Sequence, residues 1–230
     1  MHLVLFDIDG TLLNSHGAGR RAMKRALQAV YGTAGALERY DMAGKTDRRI
    51  IQDVLVAAGF TVEEIAARFP QYMDVYARFL TEEVAQKPPS PLPGAIPLVD
   101  RLAHRDDVVL GLLTGNLPAG ARIKLRSAGF DPALFQVTAF GSDALDRHEL
   151  PPIAVQRAHT RVGYQFRGKH IVIVGDTPLD IECGREIGAK SVAVATGPYS
   201  EDELARYQPD VLLPNLADVE RAESAILKDP

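Results

Sequence analysis

The sequence predicts an α/β protein built on a doubly wound parallel sheet. Two observations favour this fold class. Short, nearly continuous apolar runs recur along the 230 residues, as expected of strands that are buried on both faces of a parallel sheet. Amphipathic helical patterns separate most of these runs with short connections, which is the alternation of a Rossmann-like core. A single long stretch without strands interrupts the alternation and predicts an inserted helical cap.

The apolar runs and helical patterns define the elements of the predicted core. The predicted strands are residues 3–6, 108–113, 136–140, 170–174, 191–195 and 210–213. The predicted helices are residues 95–103, 119–128, 152–158 and 179–187. Because each strand except the first is preceded or followed by helix, the order predicts parallel pairing throughout.

The inserted stretch carries apolar residues at helical spacing in three places, residues 23–30, 50–58 and 73–84. Gly59, Pro70 and the proline-rich segment 87–94 interrupt these patterns. The expected division is therefore a core of residues 1–14 and 89–230 and a helical cap of residues 15–88. Hinges are expected near residues 14–15 and 87–91, where a stiff linker returns to the core.

Composition excludes several classes of function. The formal charge of −4, with 26 basic and 30 acidic residues, provides no basic field for nucleic acid or an acidic membrane. A single cysteine excludes an intrachain disulfide framework and is typical of a reducing compartment. No apolar run reaches membrane-spanning length, and two aspartates interrupt the apolar start of the chain. We expect a cytoplasmic protein without nucleic-acid or membrane partners.

The first strand ends on two carboxylates, Asp7 and Asp9, followed by Gly10 and Thr11. Two anions this close repel each other unless a cation lies between them or one is protonated. The carboxyl ends of parallel strands are where open α/β sheets bind ligands. The spacing therefore favours a Mg²⁺ site beside a nucleophile over an ordinary Asp-Gly turn.

Two more predicted strands end on polar residues. The strand at 108–113 is followed by Thr114, Gly115 and Asn116, whose hydroxyl and backbone N–H groups could hold phosphate oxygens. The strand at 170–174 is followed by Asp176, and Asp180 lies four residues further on in a predicted first helical turn. Helix-terminus chemistry accounts for Asp180 but not for Asp176, because a carboxylate directly after a buried strand needs a partner.

These segments together resemble the first, second and fourth motifs of the haloacid dehalogenase superfamily. The cap resembles that of its phosphoglycolate phosphatase-like and β-phosphoglucomutase-like branch. The resemblance implies a Mg²⁺-dependent phosphatase that acts on a small phosphorylated metabolite through an aspartyl-phosphate. It implies Asp7 as nucleophile and metal ligand, and Asp9 as general acid and base whose carbonyl binds the metal. Asp176 would complete the ligands with Asp180 in support.

The same resemblance implies that Thr114, with Asn116 behind it, holds phosphate; Gly115 and Thr11 are further candidates for substrate binding. The third motif departs from the family pattern. The family places a lysine before the fourth-motif strand, whereas residues 146–152 contain none. Arg147 is the favoured substitute because it is permanently charged and can bind two oxygens at once. His148 is the alternative, and Arg147 could also be an exposed loop residue.

In the cap, residues 43–47 resemble the loop that reaches the substrate in capped members, which predicts a substrate contact for Lys45. Asp47 or Thr46 would also cap the following helix. The six histidines lack metal-ligand spacing, and Cys183 is expected to be a packed residue. Tyr72 and Tyr76 are interpreted as packing within the cap.

Alternative functions differ at particular residues. Dehalogenase and phosphonoacetaldehyde hydrolase relatives lack the second aspartate, so Asp9 disfavours both. A β-phosphoglucomutase would need an acid–base histidine near Gly19 and Arg20, and His16 lies too early. A non-catalytic member that binds a phosphorylated ligand is disfavoured by the complete set of acids. The substrate is left open among phosphoglycolate, sugar phosphates, nucleotides and pyrophosphate, as is the oligomeric state.

Overall fold

The computed structural model describes residues 1–228. The strands in that part of the chain are β1 (His2–Phe6), β2 (Leu13–Asn14), β3 (Ser90–Pro91), β4 (Val108–Leu113), β5 (Val137–Ala139), β6 (Ile171–Gly175), β7 (Lys190–Val194) and β8 (Val211–Leu213). The α-helices are α1 (Ala18–Tyr31), α2 (Asp47–Val56), α3 (Val62–Gln86), α4 (Ala95–Ala103), α5 (Pro118–Ser127), α6 (Leu150–Val162), α7 (Pro178–Glu182), α8 (Glu201–Ala205) and α9 (Val219–Leu227).

Six strands form one parallel sheet in the order β5-β4-β1-β6-β7-β8, which confirms the predicted doubly wound α/β fold. The register is level at the centre, because Phe6 pairs with both Leu112 and Val174. The chain continues outward from β1 through β4 to β5, and β6 then lies on the other side of β1. This reversal is a topological switch point, where open α/β sheets bind ligands.

The sheet is buried on both faces. Val4 and Phe6 of β1 pack into one hydrophobic cluster together with α4, α5 and α9, whereas Leu3 and Leu5 pack into a second cluster together with α6. Alternate side chains of a strand point to opposite faces, so a strand between two helical layers must be apolar throughout. This explains the continuous apolar runs in the sequence.

The insert between β2 and β3 is helical, and these two short strands pair antiparallel where the chain leaves and re-enters the core. Its helices surround a hydrophobic cluster of their own, which includes Tyr72 and Tyr76 with ring centroids 6.0 Å apart. Leu117 and Ile123, which lie just before and on the core helix α5, pack against the same cluster. The core and cap boundaries given above stay a prediction.

Two local expectations were wrong. Pro70 does not interrupt a helix, because α3 runs through it from Val62 to Gln86. A proline costs one helical hydrogen bond, and burial of Tyr72, Tyr76 and Leu80 on the same helix offsets that loss.

The helix predicted over residues 179–187 is divided into α7 and a 3₁₀ turn, Arg185–Ile187. The chain packs tightly on β6 between them, since a Cβ on Gly184 would lie 2.6 Å from Ile173 Cδ1. The short helices α8 and α9 were not predicted. In the part of the chain that the structure describes, no helix is both long and apolar enough to cross a membrane.

Candidate active site

Three buried carboxylates meet at the carboxyl edge of the sheet. Asp7 follows β1, Asp176 follows β6, and Asp180 lies in the first turn of α7. One carboxylate oxygen from each of the three residues lies within 4.8 Å of the other two. The level register of β1 and β6 brings the first two together, so the strand pairing itself creates the acidic cluster.

Asp176 is fixed tightly in this cluster. Thr11 Oγ1 donates a hydrogen bond to Asp176 Oδ1 at 2.9 Å. Gly10 and Gly197 lie against the same carboxylate, and a Cβ on either residue would overlap its atoms. Thr11 is fully buried and lies outside the lining of the cavity, so its hydroxyl supports Asp176 from behind.

Asp180 uses both carboxylate oxygens within the protein. Oδ2 accepts hydrogen bonds from the Thr177 amide at 3.0 Å and the Thr177 hydroxyl at 2.7 Å, which completes the capping box of α7. Oδ1 accepts a hydrogen bond from Arg147. Since both oxygens already have donors, Asp180 is suited to support the cluster rather than to contact a ligand.

Arg147 lies among these acids. It is buried, and its Nη2 contacts Asp180 and lies 3.5 Å from Asp7 Oδ2. His148 is exposed, with Nδ1 2.9 Å from Asp146 Oδ1. The structure therefore brings Arg147 to the carboxylates and leaves His148 outside.

Burial strongly affects the charges of this group. It raises the pKa of Asp7 to about 6, although the neighbouring Arg147 guanidinium opposes the rise. Burial, with Asp180 and Asp7 nearby, also raises the pKa of Asp176 well above 3.8. Asp7 Oδ1 is buried and accepts no hydrogen bond among the described residues. Carboxylates that resist ionisation and include an oxygen without a donor fit a divalent cation, which prefers oxygen ligands.

Asp9 belongs to a second charged group. Its Oδ2 accepts hydrogen bonds from Lys124 Nζ at 2.6 Å and from Asn116 Nδ2 at 2.9 Å. Burial acts to raise the pKa of Asp9, but the charge of Lys124 and hydrogen bonds from Lys124, Ser15 and Asn116 together lower it. The two aspartates of the first motif thus have different surroundings, because Asp7 lies among other acids near Arg147 and Asp9 contacts Lys124.

Lys124 was not predicted as a site residue. It lies on α5 and is only 4% exposed. A signal was present in the sequence, because residues 117, 121, 124, 125 and 128 form the apolar stripe of that helix and Lys124 falls within it. A lysine at a core-facing position needs a buried partner.

The predicted phosphate-binding residues occupy different places. Gly115 and Asn116 line the cavity, whereas Thr114 is fully buried beneath them. Thr114 Oγ1 accepts hydrogen bonds from the Asn116 backbone N–H at 3.3 Å and from Asn116 Nδ2 at 2.9 Å. The side chain of Asn116 is therefore engaged with Asp9 and Thr114.

A cavity of about 600 Å³ separates the acids from the cap helices. Two cap cations line it, Lys45 and Arg20, and Arg20 was not predicted. Lys45 Nζ donates to the Asp41 carbonyl at 2.8 Å and lies 4.3 Å from the centre of the Tyr40 ring. The Arg20 guanidinium donates to the carbonyls of Leu37 and Tyr40. Both cations are therefore held by neutral groups.

The loop of residues 43–47 is attached to the core through polar contacts. The Asp47 backbone N–H donates to the Gly115 carbonyl at 2.7 Å, and Asp47 Oδ2 accepts from the Leu117 backbone N–H at 2.9 Å. Arg147 Nη1 donates to the Gly44 carbonyl at 2.9 Å. Burial raises the pKa of Asp47 to about 6, although Lys124 opposes the rise.

Thr46 caps the helix that follows this loop. Its hydroxyl accepts from the Arg49 backbone N–H at 3.1 Å and donates to the Leu145 carbonyl at 2.7 Å. The helix therefore begins at Asp47, and Thr46 rather than Asp47 is its N-cap. The same hydroxyl joins the cap loop to the core.

Two weaker candidates lie outside the cavity lining. His16 is on the connection into the cap, with Nε2 3.0 Å from Ser90 Oγ. Cys183 is buried, and this burial raises the pKa of its thiol to about 12. A thiol that stays protonated is a poor nucleophile, so Cys183 is a packed residue.

Several known proteins resemble this chain over nearly its whole length. The pyrophosphatase PpaX of Halalkalibacterium halodurans is 24% identical over 95% of this chain and 95% of its own length. The phosphoglycolate phosphatase of Synechococcus elongatus is 24% identical over 99% of this chain and its full length. A hydrolase from Pseudomonas syringae superposes with a TM-score of 0.73 at 20% identity, covering 99% of this chain and all of its own. At that identity, the structural likeness shows the fold alone.

The sequence of residues 4–194 matches the family model described as haloacid dehalogenase-like hydrolase. This span begins within β1 and ends at the last residue of β7, so it contains every carboxylate of the acidic cluster and the helical insert. The resemblance inferred from the motifs is confirmed, and the chain belongs to the haloacid dehalogenase-like hydrolases.

Proposed function

We propose that the protein is a cytoplasmic, Mg²⁺-dependent phosphatase that hydrolyses a small phosphorylated metabolite through phosphorylated Asp7. The observation that carries this proposal is the meeting of Asp7, Asp176 and Arg147 at one edge of the cavity, with Asp9 nearby. A carboxylate nucleophile, a cation site and a proton-transfer group are the parts that phosphoryl transfer to an aspartate requires.

Asp7, Asp176 and the backbone carbonyl of Asp9 would hold the Mg²⁺. The fit rests on the buried Asp7 Oδ1 without a donor and on the raised pKa of Asp7 and Asp176. When bound, the ion would neutralise charge on the phosphoryl oxygens.

The side chains supply the remaining chemistry. A carboxylate oxygen of Asp7 forms a bond to phosphorus as the bond to the leaving oxygen breaks. Asp9, which must first take up a proton because its pKa is lowered, gives that proton to the leaving oxygen. Asp9 then takes a proton from the water that hydrolyses the aspartyl-phosphate, which releases phosphate and restores Asp7. General acid–base assistance of this kind contributes roughly 10²- to 10⁴-fold in rate. Arg147 stabilises the acids and the phosphoryl group with its permanent charge.

We favour a substrate that carries a second anionic group. Arg20 and Lys45 line the cap side of the cavity, and neutral groups hold both of them. A carboxylate or second phosphoryl group would replace those contacts with stronger, charge-assisted ones. Relatives named for phosphoglycolate and for pyrophosphate support the same class.

A mutase-like transfer is disfavoured by the first cap helix. It would need an acid–base histidine near Gly19, and a Cβ at that position would lie 3.1 Å from Lys124 Nζ. A longer side chain there would displace the lysine.

The test is phosphate release from a panel that includes phosphoglycolate, pyrophosphate, glucose 6-phosphate and a nucleoside monophosphate, with and without Mg²⁺. We expect Mg²⁺-dependent turnover, fastest on phosphoglycolate and pyrophosphate, which carry a second anionic group. Asp7→Asn is the matched control and should lose at least about 10³-fold in kcat while it remains folded. Equal turnover in the variant would refute the nucleophile, and no turnover on any ester would favour a binding-only protein.

A further inference from the structure

We propose that Lys124 is a positioning residue that fixes the carboxylate of Asp9 and the side-chain amide of Asn116 for the reaction. What Lys124 holds is argued from geometry alone. The part that Asp9 then plays in catalysis rests on the proposed function.

The contacts of Lys124 form a closed network. Lys124 Nζ lies 2.6 Å from Asp9 Oδ2 and 2.6 Å from Asn116 Oδ1. Asn116 Nδ2 in turn donates to the same Asp9 oxygen at 2.9 Å. Each of the three side chains therefore contacts the other two, and none can rotate without breaking contacts of both neighbours.

This network determines two orientations. Two donors on a single oxygen fix the plane of the Asp9 carboxylate. The ammonium on Asn116 Oδ1 also fixes which end of the amide faces Asp9, because an ammonium cannot accept a hydrogen bond from Nδ2. Without Lys124, Asn116 Oδ1 would lose its donor and Asp9 would lose its charged partner.

The burial of Lys124 indicates that its charge serves the side chains it contacts and not the protein surface. Its side chain is 5% exposed, and an ammonium removed from water is costly unless an anion accompanies it. Gly19 of the cap lies close above Nζ, so the cap encloses the ammonium from the other side. A lysine that only served solubility would lie at the exposed face of α5.

The kinetic test uses Lys124→Met, which keeps the aliphatic stem and removes the charge. We expect kcat on an alkyl phosphate, such as glycerol 3-phosphate, to fall by about 10- to 100-fold with KM changed less than threefold. In a single turnover, release of the leaving group should be slowed much less with 4-nitrophenyl phosphate, whose leaving group departs without a proton, because this step precedes the hydrolysis that both substrates share. A merely structural defect would reduce both reactions equally.

Lys169→Met is the matched control. Lys169 also forms an ion pair, with Asp210 at 2.5 Å, but its side chain is 41% exposed and lies outside the lining of the cavity. We expect the rates of this variant on both substrates to stay within twofold of wild type. A Lys124→Met enzyme with wild-type kcat on both substrates would overturn the proposal.

Thermal unfolding provides a readout that does not need activity. Lys124→Met and Asp9→Asn should each lower the Tm, and the second substitution should cost little once the first is present. Additive losses of Tm would show that Lys124 does not hold Asp9. If wild type released no phosphate from any ester, the proposed function would fail, yet this cycle would still decide the positioning contact.

Asn116→Ala is the second variant, in case Lys124→Met does not fold. It removes the other donor to Asp9 and leaves the Lys124–Asp9 ion pair intact. We expect the same dependence on leaving group, with a smaller loss of kcat. Equal losses on both substrates would count against the network.

Discussion

The two walls of the cavity hold their charges in different ways. On the core wall, both cations are bound to carboxylates, Arg147 to Asp180 and Lys124 to Asp9. On the cap wall, Arg20 and Lys45 are held by carbonyl oxygens and an aromatic ring. These two core cations are nearly fully buried, whereas the two cap cations are half-buried.

This difference indicates that the core wall is suited to catalysis and the cap wall to substrate recognition. Paired and buried charges keep one geometry and lose little by reorganisation during a reaction, which suits chemistry. Cations held by neutral groups can exchange those contacts for a ligand without leaving a buried anion behind, which suits recognition. Substitutions on the core wall should therefore affect kcat and stability, and those on the cap wall should affect KM.

The largest effect is expected from Arg147→Ala. It leaves Asp180 and Asp7 buried without their cation, a loss that typically costs about 3–5 kcal/mol of unfolding free energy. Activity should fall about 10²- to 10³-fold. His148→Ala is the matched control, because His148 is exposed and should change kcat less than twofold. Denaturant unfolding and phosphate release measure both, and the opposite ranking would assign the third-motif role to His148.

Arg147→Lys should have an intermediate effect, because it keeps the positive charge beside the acids and loses the hydrogen bond to the cap loop. A lysine can neutralise the acids, but one ammonium cannot also replace the bond from Nη1 to the Gly44 carbonyl. We expect kcat/KM to fall about tenfold, and amide hydrogen exchange to become faster in residues 44–47. Unchanged exchange in this loop would show that Arg147 does not hold the cap loop.

Lys45→Met tests the cap wall. Loss of one charge-assisted contact to the substrate should raise KM about tenfold, equivalent to about 1.4 kcal/mol, with kcat changed little. Lys24→Met is the control, since Lys24 is an exposed cap residue paired with Glu38. A kcat effect without a KM effect would place Lys45 with the catalytic residues and remove the contrast between the walls.

Asp47→Asn should have the smallest effect, and its sign follows from the raised pKa. The folded state takes up the Asp47 proton near pH 6 and the unfolded state near 3.8, so the folded state binds more protons between these values. Stability therefore falls as pH rises from about 4 to about 6.

An asparagine side chain does not ionise, so Asp47→Asn should not lose stability between pH 4 and pH 6. Its side-chain oxygen still accepts the hydrogen bond from the Leu117 backbone N–H. We expect the variant to be more stable than wild type by about 1 kcal/mol at pH 7.5. This is less than the full linkage effect, which is 1.36 kcal/mol for each unit by which folding raises the pKa. Thermal unfolding at pH 4 and pH 7.5 measures the change. A destabilised variant at pH 7.5 would indicate that Asp47 is ionised and well paired.

The sequence predicts the parts of this site that follow from strand order. Asp7, Asp176 and Thr114 stand directly after buried apolar runs, and parallel strands bring their carboxyl ends to one edge. The same rule predicts the sheet itself, although strand ends differ by about one residue.

Contacts between distant segments could not be predicted in this way. Arg20 and Lys124 lie on helices of cap and core, and their place at the cavity depends on how the cap packs on α5. The paired strands β2 and β3, between which the helical segment is inserted, have only two residues each, which is too short for a periodic pattern in the sequence. The helix break predicted at Pro70 was wrong because the packing of a long amphipathic helix stabilises α3 more than the low helix propensity of one proline destabilises it.

The helix α5 packs against the cap and also carries the lysine that contacts Asp9. Leu117 belongs to the hydrophobic cluster of the cap, and a Cβ on Gly120 would lie 3.0 Å from Tyr76 Cε1 of α3. Lys124 follows on the same face of α5, four residues after Gly120, and holds Asp9. The helix α5 thus contacts both the cap and Asp9, the group proposed to transfer the proton. In the proposed mechanism, a displacement of the cap along this helix would alter the surroundings of Asp9, so that closing the cavity would also align the acid.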